Sequence, residues 1–369
     1  MNSKFISALA VLVGTMIGAG FLGIPYVVSQ SGFIPGLCFL IFIAAFILLV
    51  KLYLGEVSLR TKGNHQLTGY AEHYLGKKGK ILMFFAMFFG IYGALLAYLI
   101  AEGQSLSYMI LGNFDHSFIF SIGFWILMAF LSYIGLTALK KYEKIAMVIV
   151  WILMIFIFIF FFKDIKIENL NYTGENIFLP FGVILFSFLA FSTLPEIERI
   201  LIGHERFMKR TIIIGTLIAF VVYTLFTLIV VGKLGVNVQE IATINLGRFF
   251  SLLGVITMFT AFFASSIAIR DMFRFDFKLG RFFGWVLAVF VPIILFLLFN
   301  FFKVVSFIDV LGVAGVVSGG LTGILILLMN RKAKLKGNRK PEYSIKINWW
   351  IIAILSLIFV TAVILELVL

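Results

Sequence analysis

The chain has 369 residues, of which 62% are apolar and 13% charged, with 45 phenylalanines and a formal net charge of +13. Soluble domains carry about 25% charged residues and cannot leave repeated runs of about 20 apolar residues exposed, so the composition excludes a water-soluble fold and points to an all-α, polytopic membrane protein. An outer-membrane barrel is excluded because the runs are apolar throughout rather than alternating, and the single cysteine, Cys38, excludes an intrachain disulfide and a cysteine-based metal site.

Apolar runs separated by charged or turn-rich segments predict eleven transmembrane helices, at 5–30, 35–59, 81–111, 118–138, 143–162, 177–195, 211–232, 248–270, 283–302, 304–329 and 348–368. The first has no cleavage-site chemistry and reads as a retained helix rather than a signal peptide. It contains Gly14-Thr15-Met16-Ile17-Gly18-Ala19-Gly20 and then Pro25. The second carries Lys51, free to snorkel toward a membrane face, and Glu56 near its end. The third carries Tyr98 and Glu102 one turn apart on a common face. The sixth reads Phe186-Ser187-Phe188 and then Phe191-Ser192-Thr193-Leu194-Pro195, the eighth ends near Ser265-Ser266, and Asp309 opens the tenth. The histidines His65, His73, His116 and His204 are expected in loops, without metal-ligand spacing.

Lysine and arginine set the orientation. With a cytoplasmic N-terminus, 24 basic residues fall on inside segments and 5 (Lys163, Lys166, Lys233, Arg248 and Lys303) on outside ones. The N-terminus is therefore expected inside and the C-terminus outside. Positive charge of this distribution reads as topology and attraction to anionic lipid, not as a nucleic-acid footprint. The basic stretch from Arg331 to Lys346 is expected to be a cytoplasmic loop lying on lipid headgroups.

Helix 1 enters the membrane from one side and helix 6 from the other, so a five-helix repeat over 1–162 and 177–329 has to be inverted, with 348–368 as an extra helix of a single transporter domain. Both leading helices are interrupted by glycine or proline, the pattern that marks a transporter binding site. Unwound backbone in hydrocarbon survives only where it is buried in protein or lines a cavity. It offers N–H groups to a carboxylate and C=O groups to a cation. The alternative for Gly14 and Gly18 is a small-residue notch for a neighbouring helix.

The run from Gly14 to Pro25, followed by Gln30-Ser31-Gly32-Phe33, resembles the first helix of the amino acid/auxin permease family, within the amino acid–polyamine–organocation superfamily. Phe181 to Phe188 with Leu194-Pro195-Glu196-Ile197 resembles its sixth helix, and Ser265-Ser266-Ile267-Ala268 with Phe275-Asp276-Phe277 its eighth. The resemblance implies the leucine-transporter fold, an inverted five-plus-five repeat with broken helices 1 and 6. It also implies import of an amino acid across the cell membrane by symport. On that basis Thr15, Met16, Gly18, Ala19 and Gly20 meet the substrate backbone. Phe186, Phe188, Phe191 and Ser192 form the opposite wall, and Tyr98 and Glu102 face the cavity from helix 3. This chain lacks the glycine that many relatives have in the unwound part of helix 6.

The serine pair has two readings. Serine hydroxyls commonly bond back to their own helix. In the implied fold, Ser265 and Ser266 would instead join the carbonyls of Gly14 and Ile17 in a sodium site, since hard cations take oxygen ligands. Helix 5 has only Lys144, at its start, so it offers no lysine to replace that cation, which favours sodium over protons. Glu102 is either a proton carrier or a passive vestibule carboxylate, and Asp309 either a helix-end acid or an outer gate. No cofactor is expected beyond the coupling ion. A ligand-sensing receptor of the same fold remains the alternative. A membrane enzyme is disfavoured because Asp271 and Asp276 share their segment with Arg270, Arg274, Lys278 and Arg281. A wall of phenylalanines suits a neutral, apolar or aromatic amino acid.

Overall fold

A computed structural model describes residues 3–63, 65–134, 136–302 and 306–368, with the backbone alone for 136–145, 147, 275, 367 and 368. The α-helices among the described residues follow in chain order: α1 (Ser3–Met16), α2 (Ala19–Ser31), α3 (Phe33–Leu59), α4 (Leu67–Leu111), α5 (Ser117–Ile134), α6 (Leu136–Phe161), α7 (Pro180–Phe188), α8 (Leu194–Ile200), α9 (Met208–Leu234), α10 (Arg248–Phe275), α11 (Arg281–Phe302), α12 (Phe307–Lys336) and α13 (Trp349–Val368). Nine helical segments among these residues are long and apolar enough to cross a membrane, or ten when α1 and α2, bent by 48° at their junction, count as one. The expected span at 143–162 falls within α6, whose beginning is described by backbone alone, and Lys303 lies outside the described residues.

Three expectations are corrected. The third helix begins at Leu67, not 81. Its first two turns bury Leu67, Tyr70, Ala71 and Tyr74, the i, i+3, i+4, i+7 stripe of an amphipathic helix, and His73 therefore lies in a helix rather than a loop. Gly76, at φ 75° and ψ −168°, then separates this segment from the membrane-crossing part. The second correction is to the basic stretch. Arg331 to Lys336 continue α12, and the chain beyond folds back on the end of α3. Tyr343 donates to Leu52 O (2.7 Å), Arg339 to Leu59 O (2.9 Å), and the amide of Ile345 to Glu56 Oε2 (3.0 Å). Buried Glu56 also meets Arg60 at 2.9 Å and Lys334 at 3.2 Å. That part of the stretch packs on protein rather than on headgroups. Third, Lys51 does not snorkel. It is 0% exposed.

The bundle closes through small residues, as helices do where lipid supplies no hydrophobic drive. A Cβ at Gly93 of α4 would stand 2.6 Å from Ala314 Cβ of α12, and one at Gly315 would stand 2.3 Å from Gly182 O of α7. Gly320 and Gly323 of α12 form the notch that receives Phe359 of α13.

Polar contacts sort the connections onto two faces. Lys4 donates to Ile202 O (2.8 Å), Asp276 accepts from the Thr68 hydroxyl and the Gly69 amide, and Arg339 lies 3.6 Å from Glu205. Lys4 at the start of α1 and residues 60–63, 65–69, 201–207, 276 and 337–345 thus share one face, the N-terminal face. On the opposite face Lys166 N bonds Gly232 O (2.9 Å) and Gly32 pairs with Thr173. There Ser306 and Asp309 form a capping box at the start of α12, which makes Asp309 a helix-capping acid. Glu240 Oε2 accepts from the amides of Phe307 (3.1 Å) and Ile308 (3.4 Å). Burial pushes the Glu240 carboxyl above its ordinary pKa; the Ile308 amide opposes that shift, while Asp309 adds to it.

Candidate functional site

The first span breaks at Ile17–Gly18. Ile17 still donates to Val13 O, but the Gly18 amide turns to Met16 O at 2.9 Å instead of closing on Gly14 four residues back. α2 then restarts at Ala19 and tolerates Pro25 within it. The second interruption lies between α7 and α8. Leu189 donates to Phe186 O, Ala190 takes a left-handed conformation (φ 40°, ψ 28°), a 3-10 turn covers Phe191–Thr193, and Pro195 sits at the start of α8. A non-glycine residue in that conformation costs on the order of 1–3 kcal/mol and persists only where its surroundings impose it. The chain turns at Ala190, within the stretch Leu189 to Thr193 that precedes Leu194-Pro195.

The two breaks touch. A Cβ at Gly20 would lie 2.4 Å from Ser187 Oγ and 2.9 Å from its Cα, so α2 crosses α7 with no room for a side chain. A Cβ at Gly18 would lie 3.1 Å from Ala261 Cβ and 3.2 Å from the Tyr98 hydroxyl. A cavity opens beside this junction. From the first break it is lined by Thr15, Met16, Gly18 and Gly20, and from the second by Phe186, Ser187, Leu189, Ala190, Phe191 and Ser192. α10 contributes Ser265, and α4 contributes a stripe of Ala86, Met87, Gly90, Ile91, Ala94 and Tyr98. Ser318 and Thr322 of α12 complete it. Twelve residues of helix separate Tyr98 from Ala86, about 18 Å at 1.5 Å per residue. The cavity thus runs from the breaks toward the N-terminal face. Its lining includes no Asp, Glu, Lys or Arg among the described residues.

Of the residues singled out from sequence, the structure brings Thr15, Met16, Gly18, Gly20, Tyr98, Phe186, Phe191, Ser192 and Ser265 together in the lining. The other expected residues do not line the cavity. Phe188 points to the far side of α7, where its ring packs on Tyr223 at 4.9 Å. Ser266 turns to α5, its hydroxyl donating to Phe263 O and lying 3.1 Å from Ser132 Oγ. Glu102 is 1% exposed, one turn beyond Tyr98 and away from the cavity, and its Oε2 has no hydrogen-bond partner among the described residues. Ala19 is buried, and Ile17 is 2% exposed. Gly14, in α1 ahead of the break, is not part of the lining either, although α1 packs against α10.

Ala86 to Ala94 of α4, Ser318 and Thr322 lay outside the residues expected from sequence. The signal was present in the run of small residues Gly90, Gly93, Ala94 and in the four-residue spacing of Ser318 and Thr322. Lys51 of α3, expected to snorkel toward a membrane face, is instead fully buried. Its Nζ lies 2.9 Å from Met16 Sδ, directly behind the first break, and no carboxylate comes within 4 Å of it among the described residues. Tyr223 of α9 was not noted at all. Its hydroxyl donates toward Met16 O at 2.6 Å and Ser187 O at 2.9 Å.

Apolar helices, two of them interrupted beside a mainly apolar cavity whose described lining carries hydroxyls but no charge, mark a polytopic membrane protein. A sequence model of the tryptophan/tyrosine permease family matches residues 1–245. The chain belongs to that family. It is 23% identical over 251 residues to tyrosine-specific transport system 1 of Haemophilus influenzae, covering 66% of this chain and 62% of that protein. It is 22% identical over 244 residues to glutamine transporter 2 of Aliivibrio fischeri, covering 64% and 63%. Over 107 residues it is 29% identical to vacuolar amino acid transporter 2 of Saccharomyces cerevisiae, 29% of this chain and 22% of that one. The alignments span less than two thirds of each relative's length. All three relatives are named as transport proteins and none as an enzyme.

Proposed function

We propose that the chain is a secondary transporter importing a neutral amino acid across the cell membrane by ion symport and alternating access. One observation carries this reading: a ligand-sized cavity without fixed charge sits where two interrupted helices cross. The N-terminus of α2, a 13-residue helix that opens beside the cavity residues Gly18 and Gly20, suits a carboxylate. The carbonyls freed at the end of α1 suit an ammonium. The side chain then lies among Phe186, Phe191, Met87 and Ile91, with Tyr98, Ser192, Ser318 and Thr322 as hydrogen-bonding partners. The names of relatives, one for tyrosine and one for glutamine, fit a pocket for uncharged side chains of that size.

The architecture we propose is the inverted repeat of 1–162 and 177–329 plus the helix at 348–368, with α6 as the fifth of eleven spans and the wider kinship that of amino acid/auxin permeases. With the N-terminus cytoplasmic, the cavity corresponds to an inward-facing state. For the coupling ion we propose sodium, bound by Ser265 Oγ and the carbonyls of Gly14 and Ile17. Ser266, committed to α5, contributes nothing to it.

The test is a thermal-shift screen of the twenty amino acids with and without sodium on detergent-solubilised protein, followed by uptake of the best ligand into proteoliposomes. A ligand at 100 times its Kd stabilises the folded state by about 2.7 kcal/mol. A neutral amino acid should raise the melting temperature, more so with sodium, and should be accumulated. Binding without accumulation would favour the sensing receptor, and no response to any amino acid would reject both.

A further inference from the structure

Where a helix breaks inside a membrane, the carbonyls of its last turn lose their donors and must find others. Met16 O ends α1, which starts at the N-terminal face. Ser187 O belongs to the last turn of α7, which descends from the opposite face. The chain leaves α7 at Ala190, before the amide of residue 191 can close on Ser187. Both carbonyls point at one group, the Tyr223 hydroxyl, at 2.6 and 2.9 Å. That hydroxyl is buried, and its ring is wedged between Phe21 of α2 (6.2 Å, nearly parallel) and Phe188 of α7 (4.9 Å, edge-on).

A phenol has one proton and so can make one full hydrogen bond at a time. Met16 O already accepts from Gly18 N, whereas among the described residues no amide replaces the helical donor of Ser187. The two acceptors therefore differ in how much they need the proton. We infer that Tyr223 is a positioning residue for transport, a clasp that holds the half-helix α1 against the half-helix α7 while the cavity extends to the N-terminal face. When α1 moves, the proton passes wholly to Ser187 O, so neither state strands a buried donor. The inference rests on the alternating-access reading above, since only there do the two half-helices have to change partners.

The test uses the full chain with Cys38→Ala as background and Ser192→Cys as a cavity reporter, Ser192 being a partly exposed residue of the lining. Tyr223→Phe keeps the aromatic packing and removes the hydroxyl alone. If the clasp stabilises this state by one ordinary hydrogen bond, the maleimide labelling rate of the reporter thiol should fall about fivefold, and Vmax of uptake should change more than KM. Placing 3-fluorotyrosine at 223 by codon suppression makes the hydroxyl a stronger donor and should raise the labelling rate. This arm decides the matter even where Tyr223→Phe does not accumulate. Labelling within twofold of the parent in both variants overturns the clasp, as does a lowered melting temperature with unchanged labelling per folded molecule. Because labelling needs no substrate, a failure of the clasp is distinguishable from a failure of the transport reading.

Discussion

Lys51 places a fully buried amine behind the first break with a thioether as its hydrogen-bond partner. Burial of a charge without a counter-ion is costly, and intramembrane ionisable residues are retained for function more often than for stability. Replacing it with an apolar chain of similar length should therefore relax the fold and harm activity. Lys51→Met is expected to keep or raise the melting temperature while lowering uptake at least tenfold; normal uptake with a lowered melting temperature would make Lys51 a structural residue. At Ala190 the sign is set by the backbone. Glycine adopts its left-handed conformation without the Cβ penalty, so Ala190→Gly should stabilise the protein by about 1 kcal/mol in a chemical-denaturation series. Each residue along a helix turns the side chain by about 100°; Ser265 lines the cavity while Ser266 turns to α5, and Phe186 lines it while Phe188, two residues on, packs on Tyr223. Which member of each pair points inward was fixed by helix rotation, and the apolar context, hydrophobic on every side, gave no cue to that.

Among the elements, the breaks were legible and the boundaries less so. Seven consecutive residues with three glycines, from Gly14 to Gly20, suit either a helix–helix notch or an interruption, and the structure breaks the helix there, at Ile17–Gly18. The turn at Ala190 has no comparable residue, and the nearest sequence mark is Pro195 of α8. The amphipathic start of α4 hid behind Lys77, Lys78 and Lys80, which read as a loop although Leu67, Tyr70, Ala71 and Tyr74 already share a face. α12 offers a test of its own. Glu240, in the connection before α10, caps its first amides while burial holds its carboxyl pKa above the usual 4.5. A raised folded-state pKa means that stability from this group is fully present below about pH 4.5 and is lost as pH rises through the folded-state value. Glu240→Gln keeps an oxygen acceptor for the Phe307 amide and cannot ionise. Its melting temperature should exceed that of the parent at pH 8 and match it at pH 4; an equal offset at both would mean that the charge is irrelevant.

At the scale of the whole molecule, the sorting of connections onto two faces was largely legible from lysine and arginine counts. The segments expected to share the cytoplasm meet one another through Lys4, Thr68, Asp276 and Arg339. The folding of 337–345 onto α3 was not legible, because a basic segment next to anionic lipid and one next to a buried Glu56 have the same sequence. The sidedness itself is testable. With Cys38→Ala as background, Asn113→Cys and Lys166→Cys should label with impermeant maleimide in intact cells, and Gly337→Cys only after permeabilisation. Labelling of position 337 in intact cells would reverse the orientation.

The uncharged lining of the cavity has an electrical consequence. A transmembrane potential does work only on net charge, about 2.3 kcal/mol per elementary charge per 100 mV. Under the proposed transport of a neutral amino acid, a zwitterion crossing a cavity with no Asp, Glu, Lys or Arg among the described residues of its wall moves no net charge, and that wall contributes none of its own. Current recorded from reconstituted protein would then count coupling ions alone, so the ratio of charge to accumulated amino acid reads the stoichiometry directly.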